Sequence, residues 1–116
     1  MKKFMIIFLG ADYGTLGLSP EDLQQRMGQW FAWNQKMEKA GVVESGDALT
    51  GDTVRHVSGP NRTVTDRAGS EIKELIGGYY IIKANDLDGA MKIAEDYPDY
   101  DLGGTVEIRE IVVFDH

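Results

Sequence analysis

The sequence predicts a single α+β domain in which two amphipathic helices cover a β-sheet, and three observations carry that prediction. The segments 3–9, 77–83 and 105–114 are rich in apolar and β-branched residues and have strand character. A capped stripe of apolar residues between positions 20 and 40 has the helical period, and a second, shorter stripe follows residue 86. A chain of 116 residues can hold one core, although a domain of this size leaves roughly a third of its unfolded surface exposed and often completes its burial by association.

The elements follow in order. Lys3 to Leu9 contains two isoleucines and two phenylalanines and is bounded by Gly10, which predicts a strand buried on both faces. Two lysines precede the apolar run Phe4 to Leu9, but that run is short against a secretory core of about 7 to 15 residues and no small-x-small pattern follows, so a cytoplasmic protein is expected. Ser19-Pro20-Glu21-Asp22 is a helix start, with Ser at the N-cap, Pro at the first helical position and acids where the macrodipole favours them. Leu23, Met27, Trp30, Trp33, Met37 and Ala40 then recur at steps of three and four, and Gly41 supplies a left-handed C-cap, which predicts a helix from about Pro20 to Ala40. From Val42 to Asp66 the pattern is β-like and punctuated by glycine, with Gly59-Pro60-Asn61 as a turn signal, and predicts a strand followed by a hairpin. Gly77 to Lys83 predicts another strand. Asn85 or Asp86 caps a helix carrying Leu87, Ala90, Met91, Ala94 and Tyr97 on one face, stopped by Pro98. Beyond the polar loop 99–104, Thr105 to Phe114 predicts the last strand.

This order fits the split βαβ arrangement of ferredoxin-like folds, βαββαβ with an extra hairpin. Two helices cover one sheet face only. The first strand nevertheless offers Phe4, Ile6 and Phe8 on one side and Met5, Ile7 and Leu9 on the other. Burying each such side chain is worth about 1.5–3 kcal/mol, so the uncovered face predicts a homodimer packed sheet to sheet.

Composition excludes several functional classes. Lys plus Arg number 12 against 19 Asp plus Glu, a formal net charge of −7, with an isoelectric point near 4.7. The positive charges are scattered, so neither a nucleic acid nor an anionic membrane is an expected partner. Without cysteine there is no thiol nucleophile, disulfide or cysteine metal site, and no His-x-x-x-His pair or calcium-loop spacing of acids occurs, so no metal or cofactor is expected. Asn61-Arg62-Thr63 matches a glycosylation sequon, which has no consequence without secretion.

Several ordered segments resemble the YCII-related proteins of the DGPF-domain type. They are Leu18-Ser19-Pro20-Glu21, Ala40-Gly41-Val42, Val64-Thr65-Asp66, and Ser70 to Glu74 leading into Gly77-Gly78-Tyr79-Tyr80-Ile81-Ile82. Leu87-Asp88-Gly89-Ala90 and Gly103 to Arg109 extend the likeness over nearly the whole chain. Where that family reads Asp-Gly-Pro-Phe, this chain reads Asp66-Arg67-Ala68-Gly69 and keeps only the Asp. The resemblance implies a dimeric α/β-barrel-like fold and a pocket beside the Asp-bearing loop. Some relatives resemble enzymes with an Asp and His pair, and others are associated with extracytoplasmic-function sigma factors.

Candidate chemistry is sparse. Asp66 is the candidate catalytic or ligand-binding carboxylate, or else the cap of a type I turn, since Asp and Gly occupy the first and fourth places of Asp66-Arg67-Ala68-Gly69. Glu71 and Lys73 line the same pocket or form a solvated turn. His56 shares a strand face with Val54 and is either a proton shuttle or a surface residue. No Gly-x-Ser-x-Gly elbow marks a nucleophilic serine. The loop Gly10 to Gly17 sits where phosphate-cradling loops sit but matches neither dinucleotide nor Walker patterns, and Asp12 repels anions. It reads as a connection from which Tyr13 leans over a pocket mouth. Trp30, Phe31 and Trp33 read as core anchors, with an aromatic ligand cage the alternative. Of Tyr79 and Tyr80, one is expected to face the helices and the other the pocket or dimer side. The leading expectation is a small dimeric protein with a pocket for a small molecule and an undefined activity. The alternatives are a non-catalytic interaction or regulatory module, for example linked to sigma-factor regulation, and a cofactor-independent oxygenase or isomerase suggested by fold analogy alone.

Overall fold

A computed structural model describes residues 1–10, 13–68, 72 and 74–114. Strand β1 (Lys2–Leu9) alternates strictly: Phe4, Ile6 and Phe8 are buried while Met5, Ile7 and Leu9 are half-buried. The strand expected to be buried on both faces is therefore buried on one, because both helices lie on that side. Helix α1 (Pro20–Ala40) opens with a reciprocal capping box, Asp22 N donating to Ser19 Oγ at 3.1 Å and Ser19 N donating to Asp22 Oδ2 at 3.3 Å. It closes on Gly41, whose φ of 70° is the left-handed conformation that glycine adopts without a steric cost.

Strands β2 (Val43–Ala48), β5 (Ile76–Ala84) and β6 (Thr105–Glu110) join β1 in a four-stranded sheet of order β2-β5-β1-β6, with every pairing antiparallel. The register sets Ile6 between Tyr80 and Ile108 and Phe8 between Gly78 and Val106. One sheet face thus collects Phe4, Ile6, Phe8, Ile82 and Ala84, against which Trp33, Met37, Ala90, Ala94 and Tyr97 pack from the helical side. Strands β3 (Thr53–Ser58) and β4 (Thr63–Ala68) form a separate two-stranded ribbon. Its turn is closed by Arg62 N donating to Gly59 O at 3.1 Å, with Arg62 itself at φ 53°. Nearly all of the ribbon is exposed.

Three expectations change. On α1 the buried stripe contracts to Trp33 and Met37, with Leu23 and Trp30 half-buried and Met27 exposed. Phe31 is 64% exposed and is no core anchor, because about 100° of helical rotation per residue carries it off the stripe that Trp30 and Trp33 share. Helix α2 (Leu87–Ala94) is capped by Asp86, whose Oδ1 accepts from Gly89 N at 2.8 Å. It meets the sheet through Ala90 and Ala94, while Leu87 and Met91 are exposed. Small residues bring this helix close and leave its larger ones lateral. Tyr97 lies past its end and still reaches the core. The last strand stops at Glu110 rather than Phe114: Ile111 N still bonds to Lys3 O, but β1 begins at Lys2 and offers little beyond that point. Among the described residues no helix is long and apolar enough to cross a membrane.

Candidate functional site

The turn after α2 determines the site. The Asp99 carbonyl accepts from both Leu102 N and Gly104 N at 3.0 Å, and Gly103 takes a φ of 84° to allow it. This fixes the Asp99 backbone and leaves its side chain facing α1, only 3% of the residue being exposed. Tyr13, in the short 3₁₀ turn after β1, donates its hydroxyl to Asp99 Oδ2 at 2.7 Å. Trp30 Nε1 lies 3.1 Å from the same oxygen and 2.9 Å from the Tyr13 hydroxyl, so one indole proton is shared between them. Asp99 Oδ1 is buried and finds no hydrogen-bond partner among the described residues, with Arg26 Nη1 at 3.8 Å.

Arg26 secures the same turn from α1. Its guanidinium donates to Pro98 O at 2.9 Å and forms a bidentate pair with Asp101 at 2.7 and 2.6 Å. Burial, and then the hydrogen bond to Asp99, push the Tyr13 phenol far above its ordinary value, so the phenol keeps its proton and donates it. Burial likewise raises Tyr97.

Around this cluster the aromatic residues build a wall. Phe8 stacks on Tyr97 with ring centroids 5.2 Å apart and meets Trp30 and Tyr80 edge to face at 5.3 and 5.4 Å. The wall borders a cavity of about 610 Å³ whose lining includes Phe8, Tyr13, Trp30, Tyr80, Tyr97 and Asp99. The opposite side is the β2–β5 edge, where Gly46, Gly77 and Gly78 are among the lining residues. A Cβ on Gly46 would fall 2.0 Å from Tyr80 Cδ1, and one on Gly78 would fall 2.8 Å from Asp47 O. Asp47 and Tyr79 also belong to the lining, but they pair with each other and Tyr79 with Ile7, so their side chains stand on the sheet face away from the helices. The Tyr79 hydroxyl donates to Asp47 Oδ2 at 2.8 Å, and that bond raises its pKa.

Of the residues singled out in the sequence, Tyr13, Tyr79 and Tyr80 belong to the cavity lining, with the Tyr80 ring on the helical face against Phe8 and Trp33 and the Tyr79 side chain on the opposite face beside Ile7. Asp66 lies within β4 opposite Arg55, its side chain 60% exposed and its Oδ1 accepting from Arg55 Nε at 3.0 Å. It is a strand residue rather than a turn cap, and neither it nor His56 on the neighbouring strand is among the lining residues. Glu71, Lys73 and Gly69 lie outside the described residues, as do Ala11 and Asp12 of the first loop.

Asp99, Arg26 and the polar role of Trp30 escaped the sequence reading. Asp99 sat in what looked like a plain polar loop after Pro98, and Trp30 looked like a pure core anchor. The available signal was the indole itself, since a buried indole N–H requires an acceptor. A family model described as the YCII-related domain matches residues 4–115 of the chain. No curated protein matches it.

Proposed function

The chain belongs to the YCII-related domain family, and from that premise we propose that it binds a small molecule in the cavity between α1 and the β2–β5 edge, through an activity that the family leaves undefined. One observation carries the reading: a buried carboxylate, Asp99, oriented by Tyr13 and Trp30 at the border of an aromatic cavity of about 610 Å³. Holding a carboxylate away from water with one oxygen lacking a hydrogen-bond partner among the described residues works against stability. Such a cost fits a site shaped for binding, and the cavity volume lies within the roughly 300–1,000 Å³ of small-molecule sites. In this reading Asp99 takes the role that the sequence suggested for Asp66, and Tyr13 and Tyr80 complete the wall. The strand order fits a ferredoxin-like βαββαβ with the β3–β4 ribbon as the extra hairpin, and in this reading a second copy covers the open sheet face. The segments quoted above favour the DGPF type within the family.

The test is a fragment screen by two-dimensional NMR on the wild type, Asp99→Asn and Asp66→Asn. Binders are expected to move the Trp30 indole resonance, to lose affinity with Asp99→Asn and to keep it with Asp66→Asn. Binders that perturb the β3–β4 ribbon and vanish with Asp66→Asn would overturn the assignment. A second reading, an interaction module without catalysis, draws on the exposed Val57 and Val64 of that ribbon. Loss of a partner on Val57→Ser, with fragment binding intact, would favour it.

A further inference from the structure

We infer that the cavity is selective for a cation of the amine class, an ammonium group carried on an aromatic or alkyl body. This inference rests on the small-molecule reading above and adds the chemistry of the ligand. It begins with where the protons are. The Tyr13 hydroxyl proton is engaged by Asp99 Oδ2, and the Trp30 indole proton by Tyr13 and Asp99 together. The Arg26 guanidinium is directed at Pro98 O and Asp101. What remains at this end of the cavity is acceptor capacity, the second lone pair of the Tyr13 oxygen and the remaining lone pair of Asp99 Oδ2, while Asp99 Oδ1 is closed to solvent and lies 3.8 Å from Arg26 Nη1. A ligand that completes this cluster must bring donors.

Charge narrows the class further. Among the described lining residues the charged ones are Asp47 and Asp99, and of these Asp99 stands on the helical side, while Asp47 shares the open sheet face with Tyr79 and Ile7. Arg26 lies 3.8 Å from Asp99 Oδ1, but its bidentate pair with Asp101 offsets its charge. A carboxylate or phosphate ligand would therefore meet the Asp99 carboxylate with no free cation among the described lining residues to receive it, whereas an ammonium meets complementary charge. The aromatic wall supports the same sign, since the half-buried rings of Trp30 and Tyr80 attract cations and cover apolar stems, with Phe8 and Tyr97 stacked behind them.

Three probes of nearly equal shape separate the possibilities: 2-phenylethylamine, 2-phenylethanol and 3-phenylpropionate, titrated into the full chain while the Trp30 indole resonance and calorimetric heat are followed. The expected order is amine first, the alcohol weaker by roughly tenfold, and no detectable binding of the carboxylate. Asp99→Asn should lower amine affinity by roughly 10- to 100-fold and leave the alcohol nearly unaltered. If Asp99→Asn fails to fold, the comparison of the three probes on the wild type decides alone. Alcohol binding equal to amine binding, carboxylate binding as tight as amine binding, or full amine affinity in folded Asp99→Asn would each overturn the inference and leave the cavity reading standing. No shift of the Trp30 indole with any probe up to about 10 mM would overturn both.

Discussion

Asp99 depends on its neighbours for every compensating interaction, so single-atom changes around it should be measurable. Tyr13→Phe removes one of the two hydrogen bonds to Oδ2 while keeping the ring. The folded state should lose roughly 1–3 kcal/mol, read as a lower urea midpoint at unchanged slope. An unaltered midpoint would show that the phenol does not support the carboxylate. The phenols also set a pH dependence. Tyr13, Tyr79, Tyr80, Tyr97 and Tyr100 are all raised above 10.0, Tyr79 by its bond to Asp47 and the others first by burial. In the unfolded chain these groups ionise near 10, so between that pH and their higher folded values the folded state holds more protons. Stability is then fully present below about pH 10 and falls as pH rises beyond it. Spectrophotometric titration should show little phenolate near pH 10 until unfolding begins, and Tyr13→Phe should flatten the alkaline loss. Free titration of all five phenols in the folded protein would contradict the burial described for Tyr13 and Tyr97.

The β2–β5 edge invites a test at the level of elements. Gly46→Ala places a methyl where the Tyr80 ring lies, so Tyr80 must swing away from Phe8. Overpacking of this kind costs about 1–3 kcal/mol, and the displaced ring should also weaken any cavity ligand. Gly77→Ala is the control, because nothing lies within 4 Å of the added atom. It should be neutral, or stabilising by less than about 1 kcal/mol, and a melting curve comparing the two checks the pair. The elements themselves were largely legible. Ser19-Pro20 and Gly41 bracketed α1 because capping chemistry is local, and Asp86 marked the start of α2 for the same reason. The faces were less legible. Leu87 and Met91 fit an apolar stripe, yet whether a stripe is buried depends on how closely the helix approaches, and Ala90 and Ala94 settle that only against the sheet. The site was least legible, since Tyr13 and Asp99 are 86 positions apart and Trp30 and Asp99 are 69 apart. No periodicity or short motif spans such distances.

For the molecule as a whole, the open face of the sheet is the feature that asks for a partner. Met5, Ile7 and Ile81 lie half-buried near its centre, and Lys3 at its margin pairs with Glu44 at 3.0 Å. If a second copy covers this face, the wild type should sediment as a dimer at micromolar concentration and its melting temperature should rise with concentration. Ile7→Glu should then give a monomer that retains the Trp30 indole signal, because that indole lies on the helical side. A stable wild-type monomer under the same conditions would remove the dimer.

The place of β1 in the sheet has a consequence for how the protein is made. The strand synthesised early is flanked by β5 and β6, whose first residues are Ile76 and Thr105. At about 5–20 residues per second on the ribosome, β1 waits roughly 3 to 13 s before its first neighbour exists. Throughout that interval Phe4 to Leu9 presents six consecutive apolar residues with no charge and no proline, the composition from which intermolecular β-aggregates grow. Crowded nascent chains should therefore be lost to inclusion bodies through this segment. Slower synthesis, or a holdase covering the first strand until Ile76 to Ala84 emerges, should raise the native yield without any change to the folded state.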